Sequence, residues 1–338
     1  MKTLQKHWKS ILSIALSVAV LYVFLKDANE QDLWTLLTDL KWQWLFGALI
    51  IKGISLSIHE YRLWLGFSTP RPPIHRTMQI GFASALLNIL LPGRAGDIAA
   101  IAMLHKKCRV PIGVATFAVG MVGFFEGAIF GLMMLAVLLF NATMWIEYLG
   151  SELHIQSIQT ITGLTLLGIV VVVIAAIIGR RFVSEPPDHQ EQFSPISWLK
   201  DAFNQTGRTL VNVRYISTNA FASVAEVWLM IAAFAMGFEI LGLESSTLVL
   251  TPLLSWSLSG LVLGISAIAS IVLPPTYGAG NAAASIFILG LFGFNQTQAL
   301  GFAGVWWLIS QVPTVVLGLP SLWAMSHKNH KVEPTKNA

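Results

Sequence analysis

Long apolar runs alternate with short polar stretches along this chain, and two of the runs break at Pro-Gly punctuation, once in each half. Uninterrupted runs of about 20 residues suit helices that cross a bilayer. The pattern predicts spans over 8–25, 42–67, 111–140, 155–179, 219–241 and 297–325. Two broken pairs lie among them, 78–91 with 97–104 and 252–273 with 281–294. The first break reads Leu90-Leu91-Pro92-Gly93-Arg94-Ala95-Gly96-Asp97. The second reads Val272-Leu273-Pro274-Pro275-Thr276-Tyr277-Gly278-Ala279-Gly280-Asn281. Pro removes a helix hydrogen bond and Gly relaxes the backbone, so each break stops a helix inside apolar sequence. Irregular backbone at membrane depth survives only where protein buries it or water lines it. Paired breaks of this kind point to the binding site of a transporter. Helical spacing of Leu33, Trp34, Leu36, Leu37 and Leu40 predicts an amphipathic helix lying in the interface. The stretch 198–213 reads equally as an in-plane helix or as an ordinary cytosolic loop helix.

Composition agrees with a membrane protein: 55% hydrophobic, 11% charged, mean hydropathy +0.68. From Ser245 to Ser326 there is no Asp, Glu, Lys or Arg. The expected fold class is an all-α polytopic membrane protein with about six to eight transmembrane helices, two broken re-entrant helix pairs and an inverted-repeat arrangement. Pro, Ser and Asp cluster around 183–197 and mark a linker. The expected division is a first membrane half at 1–182, a cytoplasmic linker at 183–218, a second half at 219–326 and a tail at 327–338.

Lys and Arg set the orientation. With a cytoplasmic N-terminus and each broken pair returning to its own side, all but Lys26, Lys41, Lys52 and Arg94 of the 21 basic residues belong to cytoplasmic segments or their edges. Arg62 is among them, snorkelling to the interface from the end of the second span. Both termini are then cytoplasmic, and the two breaks enter from opposite sides. A few identities in register, Gly96 with Gly280 and Asp97 with Asn281 among them, are compatible with that symmetry.

Other classes fall away. The net charge of +4 is spread over several cytoplasmic segments and is no nucleic-acid footprint. The single cysteine, Cys108, excludes an internal disulfide and is expected as a free thiol. No His-Glu-x-x-His or paired spacing suggests a metal, and no cofactor is implied. Gly278-Ala279-Gly280-Asn281-Ala282-Ala283 mimics a dinucleotide fingerprint without the strand that such a site needs. The apolar run after Lys2, Lys6 and Lys9 lacks a small-residue cleavage site and is expected as an uncleaved span.

The residues at the breaks carry the candidate chemistry. Arg94 and Asp97 open a half-helix at a depth where an ion costs at least about 2.5 kcal/mol, so they are functional or paired. In one reading Arg94 and the amides near Gly93 and Gly96 grip a lipid phosphate, with Asp97 orienting the guanidinium. In the other they are an ion pair capping the half-helix. Asn88 and Asn281 are amides beside the breaks, placed to satisfy freed backbone or to touch substrate. Glu126 sits mid-span between Gly123 and Gly127, which read as a helix-packing face. It suits proton coupling, pairing with Arg94, or a neutral structural role. Glu60 faces a cavity or the interface, and Glu226 is a similar case. Gly278 and Gly280 shape the second break.

Asn88-x-x-Leu91-Pro92-Gly93-Arg94-Ala95-Gly96-Asp97 resembles the motif of the lysylphosphatidylglycerol synthase transmembrane family, a set of flippase-like integral membrane proteins. Pro274-Pro275, Gly278 and Gly280 resemble its later Pro-Pro and glycine segment. The resemblance implies a bacterial cytoplasmic-membrane protein that handles a membrane lipid or lipid-linked precursor. Only the membrane part is expected, without the soluble aminoacyl transferase domain. Asp97 replaces the family's usual Glu, a Glu-Arg pair is missing from the next helix although Glu126 lies one turn on, and Ala283 stands where the family has Glu. The leading function is therefore translocation of a phosphate-bearing lipid, with substrate contacts and no catalytic residues. The alternatives are a headgroup-modifying membrane enzyme, or an inactive partner subunit of an envelope-lipid pathway.

Overall fold

The computed structural model describes residues 30–67, 71–90, 95–140, 212–244, 250–272 and 279–327. Every regular element among them is an α-helix: α1 Glu30–Thr38, α2 Trp42–Leu65, α3 Ile74–Leu90, α4 Ala95–Cys108, α5 Ile112–Phe140, α6 Val213–Leu241, α7 Pro252–Val272, α8 Ala279–Leu291 and α9 Gln296–His327. This is the all-α polytopic membrane fold that the apolar runs predict. Three of the described stretches, Ile112–Met134, Arg214–Leu241 and Gln296–Ser326, are long and apolar enough to cross a bilayer. The predicted segments 8–25 and 155–179, the linker and most of 198–213 lie outside the described residues.

The observed ends follow from local chemistry. Helix α3 starts at Ile74, ahead of the predicted 78, because the chain leaves Pro72-Pro73 directly into a helix whose first amides bond the Pro73 carbonyl. Helix α6 starts at Val213 rather than 219, capped by Asn212, whose side-chain oxygen accepts from the Tyr215 amide at 3.2 Å. Helix α4 runs on to Cys108, beyond 104. His105, Lys106 and Lys107 in its last turn suit the negative end of the helix dipole. Arg109 then turns the chain with φ 55°. Helices α6 and α8 both end with glycine at positive φ, Gly242 at 58° and Gly293 at 76°. The next amides bond back to Phe238 and Leu289, the wrap that closes a helix C-terminus. Helix α9 opens with a reciprocal cap: the Gln298 amide donates to Asn295 Oδ1 at 2.8 Å, and the Asn295 amide donates to Gln298 Oε1 at 3.0 Å.

The helices build two compact units. One comprises Met1–Ser55, Phe125–Ala175 and Ser223–Gln311; the other comprises Leu56–Phe124, Ala176–Ala222 and Val312–Ala338. The first is centred on Phe234, Phe238, Leu258, Phe292, Phe302 and Trp306, with Phe238 and Phe302 rings 4.7 Å apart and Phe234 and Trp306 rings 4.6 Å apart. Within it α7 packs directly on α8. The second is centred on Leu63, Phe67, Ile80, Ala83, Leu104, Ala115 and Ala118. Within it α3 packs directly on α4.

Candidate functional site

Two polar centres stand out, one in each unit. In the second unit α3 and α4 meet just beside the first break. Asn88 Nδ2 donates to Asp97 Oδ1 at 2.8 Å, so the amide near the end of α3 grips the carboxylate in the first turn of α4. The approach is close because residue 96 is glycine: a Cβ there would meet the Ser84 carbonyl oxygen and the Asn88 side chain. The side-chain oxygen Asn88 Oδ1 is buried and accepts no hydrogen bond from the described residues. The structure therefore brings Asn88, Gly96 and Asp97 together. Gly93 and Arg94 lie outside the described residues.

Glu60 is 3% exposed in the same unit. Its carboxylate packs on the bare Cα face of Gly81 in α3, a place no larger residue leaves free. Two residues on, Arg62 corrects an expectation. It does not snorkel. Its side chain is fully buried, Nε donates to Asn219 Oδ1 at 2.9 Å, and Nη2 donates to the Val122 carbonyl at 2.8 Å. Asn219 passes a further hydrogen bond from Nδ2 to the Tyr215 hydroxyl at 3.0 Å. The guanidinium thus fastens α2 to α5 and α6. Oxygens on two neighbouring helices hold the charge inside, where snorkelling would have needed free travel to water. Only the cross-helix placement of Asn219 could have signalled this, and sequence spacing does not supply it.

In the first unit Lys52, Glu126 and Glu226 come from three different helices, α2, α5 and α6. The carboxylates of Glu126 and Glu226 lie within 4.8 Å of each other. Both act on the Lys52 ammonium, which lies 5.8 Å from the Phe234 ring centre. Glu226 is buried and Glu126 half-buried. Among the described residues, a Cβ on Gly123 or Gly127 would meet no atom within 4 Å. Gly280 is buried and Asn281 half-buried in the first turn of α8, while Gly278 lies outside the described residues.

Cys108 ends α4 as a free thiol. Burial pushes it above the ordinary thiol range, against the opposing pull of Arg76 and Lys107. Such a thiol is a poor nucleophile at neutral pH.

Over residues 10–318 the chain matches the family model described as lysylphosphatidylglycerol synthase TM region. No curated protein matches it.

Proposed function

We propose, for a chain that belongs to the lysylphosphatidylglycerol synthase transmembrane family, the role of a translocase. Membership makes it an integral membrane protein of a lipid-headgroup pathway. The finer reading is that it carries a lipid or lipid-linked precursor with a phosphate-bearing headgroup across the bacterial cytoplasmic membrane, both termini on the cytoplasmic side. The tails stay in the bilayer while the headgroup passes between polar groups.

One observation carries this reading. Helices α4 and α8 have 14 and 13 residues. At 1.5 Å per residue they reach only about 20 Å, short of a hydrocarbon core about 30 Å thick. Each is packed on the helix that precedes its break. Short helices paired in this way suit re-entrant hairpins, and one per half suits an inverted repeat. The amides at the start of α4 then present partial positive charge to an anion, Arg94 adds a bidentate donor, and Asp97, oriented by Asn88, holds Arg94 in place. Asn281 and the glycines 278 and 280 belong to the second, uncharged break in the sequence.

The test is lipid crossing in proteoliposomes. NBD-labelled phosphatidylglycerol is exposed to dithionite, and the rate of loss of protected fluorescence is read. Wild type should accelerate crossing over empty vesicles, and Arg94→Ala should abolish the acceleration. Equal rates for wild type and Arg94→Ala overturn the proposal.

A further inference from the structure

Cations gather in the second unit where α3 begins and α4 ends. Arg76 lies in the first turn of α3, Lys106 and Lys107 lie in the last turn of α4, and Arg109 stands just beyond it. Arg76 and Lys107 both act on the Cys108 thiol, so the two helix ends bring their charges to one place. Arg76, Lys106 and Arg109 are exposed. Lys107 is half-buried, and its ammonium uses one of its three donors on the Met325 carbonyl at 2.8 Å. Among the described residues of this unit the acids are Glu60 and Asp97. Glu60 is buried against Gly81, and Asp97 is bonded to Asn88 at the opposite end of α4.

The depth of these cations says what covers them. The stretch Gln296–Ser326 of α9 is long and apolar enough to cross a bilayer. Met325, which Lys107 grips, stands at the end of that stretch, where hydrocarbon gives way to headgroups. Large apolar side chains are exposed at the same end. Trp323 on α9 is 66% exposed, and Ile74, just before Arg76, is 41% exposed. Tryptophan at the end of a span suits the bilayer interface. Cations beside exposed apolar groups suit phosphates that sit above acyl chains. A nucleic acid or an acidic protein would meet the cations and leave Trp323 and Ile74 in water.

We propose that Arg76 and Lys107, with Lys106 and Arg109 at the edge, form a surface site for the phosphate of an anionic phospholipid that stays in its own leaflet. The site is separate from Arg94 and needs no lipid to cross, so it does not rest on the translocase reading. The Arg76 fork takes two phosphate oxygens, and Lys107 adds a point charge. The acyl chains lie along the exposed apolar side chains. Each cation near the membrane surface strengthens such binding about fivefold. The bound lipid covers the half-buried Cys108, which makes the single cysteine of the chain a local reporter.

Two measurements on the full chain test the site. Native mass spectrometry reads binding of phosphatidylglycerol against phosphatidylcholine with the same acyl chains. Wild type should prefer phosphatidylglycerol. Arg76→Gln should lower that affinity about fivefold, and Arg76→Gln with Lys107→Gln about 25-fold, with phosphatidylcholine binding unchanged. The single variant at the exposed position keeps the test valid if loss of the Lys107 bond to Met325 unfolds the chain. Lys41→Gln, which removes an exposed cation of the first unit, should change nothing. The same fivefold drop should appear on an Arg94→Ala background. In nanodiscs, alkylation by N-ethylmaleimide reads Cys108 directly. Replacing phosphatidylcholine by phosphatidylglycerol should slow it more in wild type than in Arg76→Gln, since the general charge of the surface acts on both alike. Inorganic phosphate should not slow it. No preference for phosphatidylglycerol in wild type, or an unchanged affinity in Arg76→Gln, overturns the site. Equal slowing in wild type and Arg76→Gln, or equal protection by inorganic phosphate, overturns the lipid as its occupant. If the drop vanishes on the Arg94→Ala background, the lipid counted sat at the break, and the surface site falls while the translocase reading stands. If binding behaves as expected but no lipid crosses in proteoliposomes, the surface site stands and the translocase reading falls.

Discussion

Replacing Gly96 by alanine tests the geometry of the first broken pair directly. The added Cβ would lie 2.6 Å from Asn88 Oδ1 and 2.7 Å from Asn88 Cγ, and closer still to the Ser84 carbonyl oxygen. Ordinary contact begins near 3.4 Å, so the Asn88 side chain must retreat by roughly 0.8 Å. The Ser84 oxygen belongs to the backbone of α3 and cannot rotate away, so α3 and α4 must part. Overpacking of this kind costs about 1–3 kcal/mol, and a backbone clash belongs at the upper end. Alanine recovers about 1 kcal/mol through helix propensity. The net expectation is a loss of about 2 kcal/mol, with Asn88 pulled off Asp97. Gly127→Ala is the control: its Cβ meets no described atom within 4 Å, so only the propensity gain of up to about 1 kcal/mol remains. The assay is the apparent Tm in detergent, followed by size-exclusion fluorescence. About 2 kcal/mol corresponds to roughly 4–8 °C for a unit of this size. Gly96→Ala should melt lower and Gly127→Ala slightly higher than wild type. If both shift in the same direction, or Gly96→Ala is silent, the close approach of α3 and α4 is refuted.

Arg62→Met removes the donor to Asn219 Oδ1 and to the Val122 carbonyl, leaving two buried acceptors at about 1–3 kcal/mol each. Tm should fall further than for Gly96→Ala, and Arg62→Lys should not restore it, because an ammonium cannot reproduce the fork. A Tm within error of wild type would show that the buried network contributes nothing. Arg109→Gly should raise Tm, since a side chain at φ 55° gives up about 1–2 kcal/mol that glycine does not; a lower Tm would mean that the Arg109 side chain matters more than its backbone. Alkylation of Cys108 by N-ethylmaleimide should be slower at pH 7 than in the unfolded chain. Burial raises its pKa, so less thiolate is present at any given pH, and the rate should keep climbing with pH after the unfolded-state rate has levelled off. Equal rates at pH 7 would contradict the buried placement.

Much of this architecture was legible because the relevant signals are local. Runs of apolar residues fix where helices lie, whereas their ends turn on caps such as Asn212, which moves the start of α6 to Val213 from the expected 219. The pairing of Asn88 with Asp97 was within reach for the same reason: a helix hairpin brings residues near its turn face to face. What escaped depends on contacts between distant segments. Arg62 reads as an interfacial cation along its own helix, while acceptors on other helices, Asn219 Oδ1 and the Val122 carbonyl among them, make burial tolerable. The close approaches that Gly81 and Gly96 permit likewise involve residues on other stretches of chain, Glu60 for the one and Ser84 and Asn88 for the other. Spacing along one helix does not say which face a second helix will cover. Lys52 and Glu226 gain their meaning only beside Glu126, from a third helix.

The joint between α8 and α9 bears on how the chain is made. A C-terminal wrap at Gly293 and a reciprocal cap at Asn295 and Gln298 close the turn within a few residues, using only neighbours in sequence. The bend is therefore ready as soon as it leaves the ribosome. A 13-residue helix has too little grease to be retained on its own merits by the insertion machinery. Carried in tandem with α9, it needs none: the long partner supplies the partitioning energy, and the preformed elbow decides which way the short one points.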